Sequence, residues 1–325
     1  MSWPDGSDLQ LGSLSLGDKL GMGGQGAVYD FKSPRGRGLE GAGYVYKEYL
    51  QPAAVNAAAL ADLVALPGRM ASNERDRLLA QAAWPLARVL NGNRVTGFIM
   101  AKVPSQFWGE ATAGRKLREA QYLMFEPKPL WGDIVPPDAG GRLEVARRAA
   151  SLFQLLHANR LIVGDVSMRN LLWSPSPVGI FLLDCDGARV EGRSPVMRQP
   201  ETIDWDDPLQ LRAGPDQDTD RYKLALLIVR ILTRDHGLRP GTDPRFVPGL
   251  PDPVVQVVTK RFKEAAGPRG TRPDAARWAM ALMGRDIIEL DPPGPVRKPP
   301  TLPKAPMDQP GRRFDIDLTS QAGGT

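Results

Sequence analysis

The chain has 325 residues, 42% hydrophobic and 24% charged, a composition that excludes a wholly disordered or fibrous protein. Gly (34) and Pro (31) make up a fifth of it, so loops and tails are plentiful. The formal charge of +5 comes from 42 basic and 37 acidic residues spread along the chain, which reads as a solvated surface and not as a nucleic-acid stripe. A single cysteine, Cys185, rules out an intrachain disulfide and a Cys-based zinc site. Two histidines, His157 and His236, argue against a multi-His metal centre. No apolar run approaches the ~20 residues of a membrane-spanning helix. The longest, around Leu224 to Leu232, contains Arg230. Met1 to Asp5 lacks the basic-then-apolar pattern of a signal peptide. The expectation is a cytoplasmic protein with no membrane or nucleic-acid partner.

In chain order, residues 1–13 read as an N-terminal extension. Residues 14–49 read as strand, Gly-rich turn, strand, Gly/Arg-rich loop and strand, the last being Tyr44-Val45-Tyr46-Lys47. The Ala-rich run 53–65 predicts a helix, and RVTGFIMAKV (94–103) a further strand. From 141 the period changes to helical, with Leu143, Ala146, Ala149, Leu152, Phe153 and Leu156 on one face. Leu161 to Val163 and Ile180 to Leu183 are short strand-like runs, and 219–233 and 273–283 predict helices. Asp291 onward holds eight prolines and predicts a disordered Pro-rich tail, 291–325, whose RRFDIDLTS end reads as a solvated terminus or a strand-adding docking motif. A strand-rich first third and a helix-rich remainder predict an α+β protein of two unequal lobes.

Three signals carry chemistry. Gly21, Gly23, Gly24 and Gly26 lie in GMGGQG, where backbone N–H groups can approach phosphate oxygens; a strand follows, which excludes a Rossmann fingerprint. Lys47 ends the β-prone run behind that turn, where an ammonium can hold phosphate oxygens as a point charge. LIVGDVSMRNLLW (161–173) and IFLLDCDG (180–187) order Asp165, Asn170 and Asp184 around a short hairpin. Carboxylates and an amide oxygen suit magnesium, and a separate carboxylate is free to orient a hydroxyl.

Over roughly residues 14–285 these motifs resemble the protein-kinase-like superfamily, most closely a divergent bacterial serine/threonine kinase branch. GMGGQGAVY resembles the glycine-rich loop, VGDVSMRN the catalytic loop, and DCDG stands where the magnesium-binding Asp-Phe-Gly is expected. The resemblance implies a bilobal kinase-like fold, with a β-rich N-lobe over 14–103 and a helical C-lobe over 104–290. It further implies ATP and Mg2+ as cofactors and Ser/Thr hydroxyls of a protein substrate as acceptors. Asp165 would take the hydroxyl proton, Asn170 and Asp184 would hold magnesium, and Lys47 the α and β phosphates. Leu20, Val28, Val45 and Leu172 would sandwich the adenine, with Met100, Ala101 and Lys102 as the hinge. Asp220 would be the structural aspartate opening a buried helix, and His157 a supporting residue of the core. A metal-dependent phosphatase and a von Willebrand type A domain protein are the partners the resemblance suggests.

The pattern departs from the family in four places. Val163-Gly164 precedes Asp165, so no arginine there grips a phosphorylated loop. Ser167 replaces a lysine, and Arg169 is the nearer cation. Cys185 replaces the Phe of the magnesium motif, as a small buried thiol or a redox switch. The Ala-rich helix carries no glutamate, which leaves Asp62 or Glu74 as candidate partners of Lys47. Asp204-Trp205-Asp206-Asp207-Pro208 stands for the Ala-Pro-Glu element, with Asp207 set to pair with Arg272. Two other readings stay open. One is a small-molecule kinase of the aminoglycoside-phosphotransferase type, with 119–138 as either a cap over the substrate or a lobe connection. The other is a pseudokinase scaffold.

Overall fold

The sheet begins before the glycine-rich turn, inside the segment read as an extension. In the computed structural model, which describes residues 8–32, 43–198 and 202–286, Leu9–Gln10 (β1) runs parallel to Val89 and Leu90. Leu9 and Leu14 are buried there with Phe31, Tyr46, Val89 and Ile99, apolar contact enough to hold a two-residue strand on a sheet edge. Ser15–Met22 (β2), Gly26–Lys32 (β3), Tyr44–Tyr49 (β4), Ala87–Asn91 (β5) and Arg94–Ala101 (β6) complete a six-stranded sheet. Its order is β1-β5-β6-β4-β3-β2, antiparallel except for β1. Between β4 and β5 lie two helices, Ala57–Ala65 (α1) and Ser72–Gln81 (α2). Asn56 caps α1 by accepting from Ala59 N–H, so the helix starts four residues later than the Ala-rich run predicts. The charged run 72–81 buries only Leu78, which is why periodicity does not reveal α2.

After the sheet the chain forms a hairpin, Trp108–Ala111 (β7) and Gly114–Leu117 (β8), and a single helical turn, Gln121–Met124 (α3). Ala139–Ala158 (α4) follows, capped by Asp138, and the face predicted for it is buried at every position named. Leu161–Ile162 (β9), Leu171–Pro175 (β10), Val178–Leu182 (β11) and Arg189–Val190 (β12) form two small antiparallel pairs, β10 with β11 and β9 with β12. Gln217–Thr233 (α5) is apolar nearly all round and runs through the core, as such a helix must. Its guanidinium at Arg230 donates to the carbonyls of Leu238 and Asp204 and lies over the Trp205 ring. Asp252–Glu264 (α6) and Ala275–Ala281 (α7) close the helical region. Val254, Val258 and Phe262 carry the buried stripe of α6 at four-residue spacing, a signal legible in the sequence.

The architecture is α+β, a β-rich region followed by a helical one, compatible with a bilobal kinase-like fold. The chain divides into one unit through Ile287 and a second, Ile288–Thr325. The Pro-rich tail and the Gly/Arg-rich loop at 33–42 lie outside the described residues. Among the described residues, no helix is long and apolar enough to cross a membrane.

Candidate active site

Strand alternation puts Val45 and Lys47 on one face of β4. Register places Val28 directly across from Lys47 on β3, and Phe98 and Met100 across from Lys47 and Val45 on β6. Leu172 of β10 is fully buried in a cluster that Met100 packs against. Val28, Val45, Met100 and Leu172 thus line up as an apolar set beside Lys47. Gly26 is required by close approach: a Cβ there would meet the Glu48 carbonyl at 2.5 Å and the Lys47 side chain at 3.3 Å. Gly21, Gly23 and Gly24 are exposed around the tight turn closed by Gly23 N–H to Gly26 O, 2.8 Å. Two of the predicted nucleotide contacts are not brought in. Leu20 is 43% exposed beside a register shift in β2. Lys102 donates its backbone amide to Gly43 O, and its ammonium pairs with Asp30.

The ammonium of Lys47 is buried and lies 2.7 Å from Asp186 Oδ1 and 3.1 Å from Asp184 Oδ1. Neither Asp62 nor Glu74 is its partner. The acid comes instead from the second aspartate of DCDG, 139 residues along the chain. Burial by itself lowers the pKa of this lysine, but the two carboxylates override it and hold the value above the ordinary one. Tyr49 is pushed the same way, by burial first and then by the charge of Asp186. Asp186 is 3% exposed, whereas the Asp184 side chain is 59% exposed and its backbone takes a left-handed conformation, φ 51°. Cys185 between them is buried. Burial and both carboxylates raise its pKa well above the usual thiol value, which fits the small buried thiol.

Asp165 is held on both oxygens. Thr202 Oγ1 donates to Oδ1 at 2.8 Å, and Asn170 Nδ2 donates to Oδ2 at 2.8 Å and to the Asp165 carbonyl at 2.9 Å. The loop backbone is held from beneath by α5. The carboxylate of Asp220 accepts from Val163 N–H at 2.6 Å and Gly164 N–H at 2.9 Å, and Lys223 donates to Gly164 O at 2.8 Å. His157 Nε2 lies 3.3 Å from the same carboxylate, which fits the supporting role expected of it. A left-handed Gly164, φ 76°, turns the chain just before Asp165. Leu183 N–H donates to Asn170 O at 2.8 Å, which fastens the strand leading into DCDG to the loop that carries Asp165 and Asn170. Thr202 escapes sequence reasoning, because nothing local marks it apart from its place ahead of DWDDP.

Asn170 turns its amide nitrogen to Asp165, which leaves its Oδ1 without a protein partner among the described residues, and the Asp184 carboxylate is exposed. Two hard oxygens fit a magnesium ion, which takes one or two protein ligands and fills its shell with water and substrate phosphates. No group of three or more His, Cys, Asp or Glu among the described residues could hold a metal alone. Glu119 is half-buried, and desolvation raises its pKa to about 7 against the opposing pull of Arg169 and Lys116. Arg272 and Asp207 form the expected pair, bidentate at 2.7 and 2.8 Å.

No protein-family model matches the chain. It is 26% identical over 313 positions to protein kinase YegI of Escherichia coli strain K12, an alignment covering 82% of this chain and 44% of that protein. The protein of the same name in Escherichia coli O157:H7 is 26% identical over 314 positions, covering 83% and 44%. The chain therefore spans less than half the length of these curated relatives. The likeness is distant and suggests a kinase-like relationship.

Proposed function

We propose that the protein is an ATP- and Mg2+-dependent phosphotransferase that acts on Ser or Thr hydroxyls of protein substrates. One observation carries the reading: Lys47 pairs with Asp184, the neighbouring Leu183 N–H donates to Asn170 O, and the Asn170 amide donates to Asp165, so residues scattered over more than a hundred positions are brought together. Thr202 and Asn170 fix both oxygens of Asp165, so its carboxylate is oriented to accept a hydroxyl proton. Val28, Val45, Met100 and Leu172 offer the apolar slot an adenine needs, and Lys47 the charge for its phosphates. Asn170 Oδ1 and Asp184 would hold magnesium, which supplies charge neutralisation on the transferring phosphoryl group. Presence of all four polar groups weighs against a scaffold without catalysis. The pairing of Asp207 with Arg272 resembles protein kinases and weighs against a small-molecule kinase.

The test is calorimetry of ATP with and without magnesium, together with radiolabelled phosphoryl transfer to mixed protein acceptors. Asp165→Asn is expected to cut transfer by about 10²–10⁴-fold while nucleotide binding persists. Asp184→Asn is expected to abolish the magnesium dependence of binding. Unchanged transfer in the Asp165 variant would remove that residue from the base role. No binding by the wild type would overturn the reading.

A further inference from the structure

A cleft of about 1080 Å³ opens beside Asp165. Asp165 and Gly164 form one wall, and Arg189 of β12, Arg198, Arg212 and Lys223 of α5 contribute four cations. Two carboxylates line it, and both are engaged. Asp207 is bidentate to Arg272, and Asp165 accepts from Thr202 and Asn170. None of the four cations forms an ion pair with a carboxylate among the described residues. Arg189 donates to the carbonyl of Pro215, and Lys223 to that of Gly164. The side chains of Arg198 and Arg212 make no such contact there, and both residues are exposed.

Lys223 is the most telling of the four. It is 2% exposed, yet a neutral carbonyl is its one hydrogen-bond acceptor among the described residues, where an ammonium has three donors to satisfy. The Asp206 charge reaches it, but that carboxylate is hydrogen-bonded to Arg239 at 3.0 Å. A buried cation without a counter-ion is costly, and an anion in the cleft would supply one. Concave walls with an excess of positive charge, four cations against the one carboxylate, Asp165, that no cation pairs among the described residues, also concentrate anions, and arginine forks match carboxylate and phosphate oxygens. No aromatic ring lines the cleft to stack a base, which favours a polypeptide over a nucleic acid.

We infer that this cleft holds an anionic side chain, carboxylate or phosphate, of the polypeptide acceptor, next to the hydroxyl presented at Asp165. The inference rests on the phosphotransferase reading for what happens to that hydroxyl, but anion capture itself does not depend on it. Fluorescein-labelled serine peptides with glutamate, phosphoserine, alanine or lysine flanks test it, by anisotropy on the full chain. The same peptides serve as acceptors in a transfer assay, and an RNA oligonucleotide of equal charge as competitor.

Glutamate or phosphoserine peptides should bind about tenfold tighter than the alanine peptide. Whichever of the two binds tighter names the preferred group. Arg198→Ala with Arg212→Ala should erase the preference and leave Mg·ATP binding unchanged, and Arg212→Glu should move it toward the lysine peptide. Equal affinity for all four peptides, a preference that survives the double substitution, or tighter arginine-dependent binding of the RNA would overturn the inference. Arginine-dependent peptide capture without transfer would uphold the cleft and sink the phosphotransferase reading. Transfer with no flank preference would do the reverse.

Discussion

Arg272 and Lys47 are both buried cations held by aspartates, and they differ in how far their partners reach solvent. Arg272 meets Asp207 in a closed bidentate pair with side chains 1% and 0% exposed, stacks over Tyr222 and also touches Asp218. Lys47 meets one buried aspartate and one that is largely exposed. The first network is closed off from solvent, with Arg272 Nε and Asp218 Oδ2 lacking a hydrogen-bond partner among the described residues, and it ties DWDDP to the segment before α7. The second ends in the open carboxylate of Asp184, where a ligand can enter it. Buried ion pairs are weak evidence for stability in general, so the contrast teaches where each one acts: the closed pair in folding, the open one in binding.

Breaking the closed pair should have the larger effect on stability. Arg272→Ala leaves the buried Asp207 with Arg269 at 3.8 Å and the Leu209 N–H in place of its bidentate partner, and is expected to cost about 3–5 kcal/mol in urea unfolding, with Mg·ATP affinity of the folded fraction unchanged. Asp186→Asn should cost less, about 1–3 kcal/mol, because Asp184 stays within reach of the ammonium. The same change should weaken nucleotide binding, since Lys47 is then held by Asp184 alone. Equal stability losses for the two variants would erase the distinction, and a nucleotide effect from Arg272→Ala would reverse it.

The smallest effect is expected at Glu119, where burial acts with no partner strong enough to offset it. Its folded pKa of about 7 lies above the ordinary 4.5, so the native state holds this proton more tightly than the unfolded chain does. Stability from this group is complete below pH 4.5 and is lost as pH rises through 7. Glu119→Gln should remove that slope. Melting temperatures at about pH 4 should match the wild type, and at pH 8 the variant should melt several degrees higher. Identical pH profiles would show that Glu119 titrates as an exposed carboxylate.

Much of this was legible in the amino-acid order, wherever the deciding contacts are local. Period 3.6 marked α4 and its buried face, and the apolar run of α5 marked a core helix. The spacing of Asp165, Asn170 and Asp184 around a hairpin reflects a turn the chain makes with its own neighbours. The polar helix α2 and the two-residue β1 escaped, because one buries a single leucine and the other depends on Val89 and Leu90 for its partner. Within the site, the sequence by itself determined which residue types were available and in what order they arrive. Only the tertiary structure decided that Lys47 answers to Asp186, that Thr202 orients Asp165, that Lys102 is spent on Asp30, and that four cations line one cleft. The reason is physical. Side-chain charges have no periodicity, and their pairing is set by which ones burial forces together, a matter of packing between segments far apart in the chain.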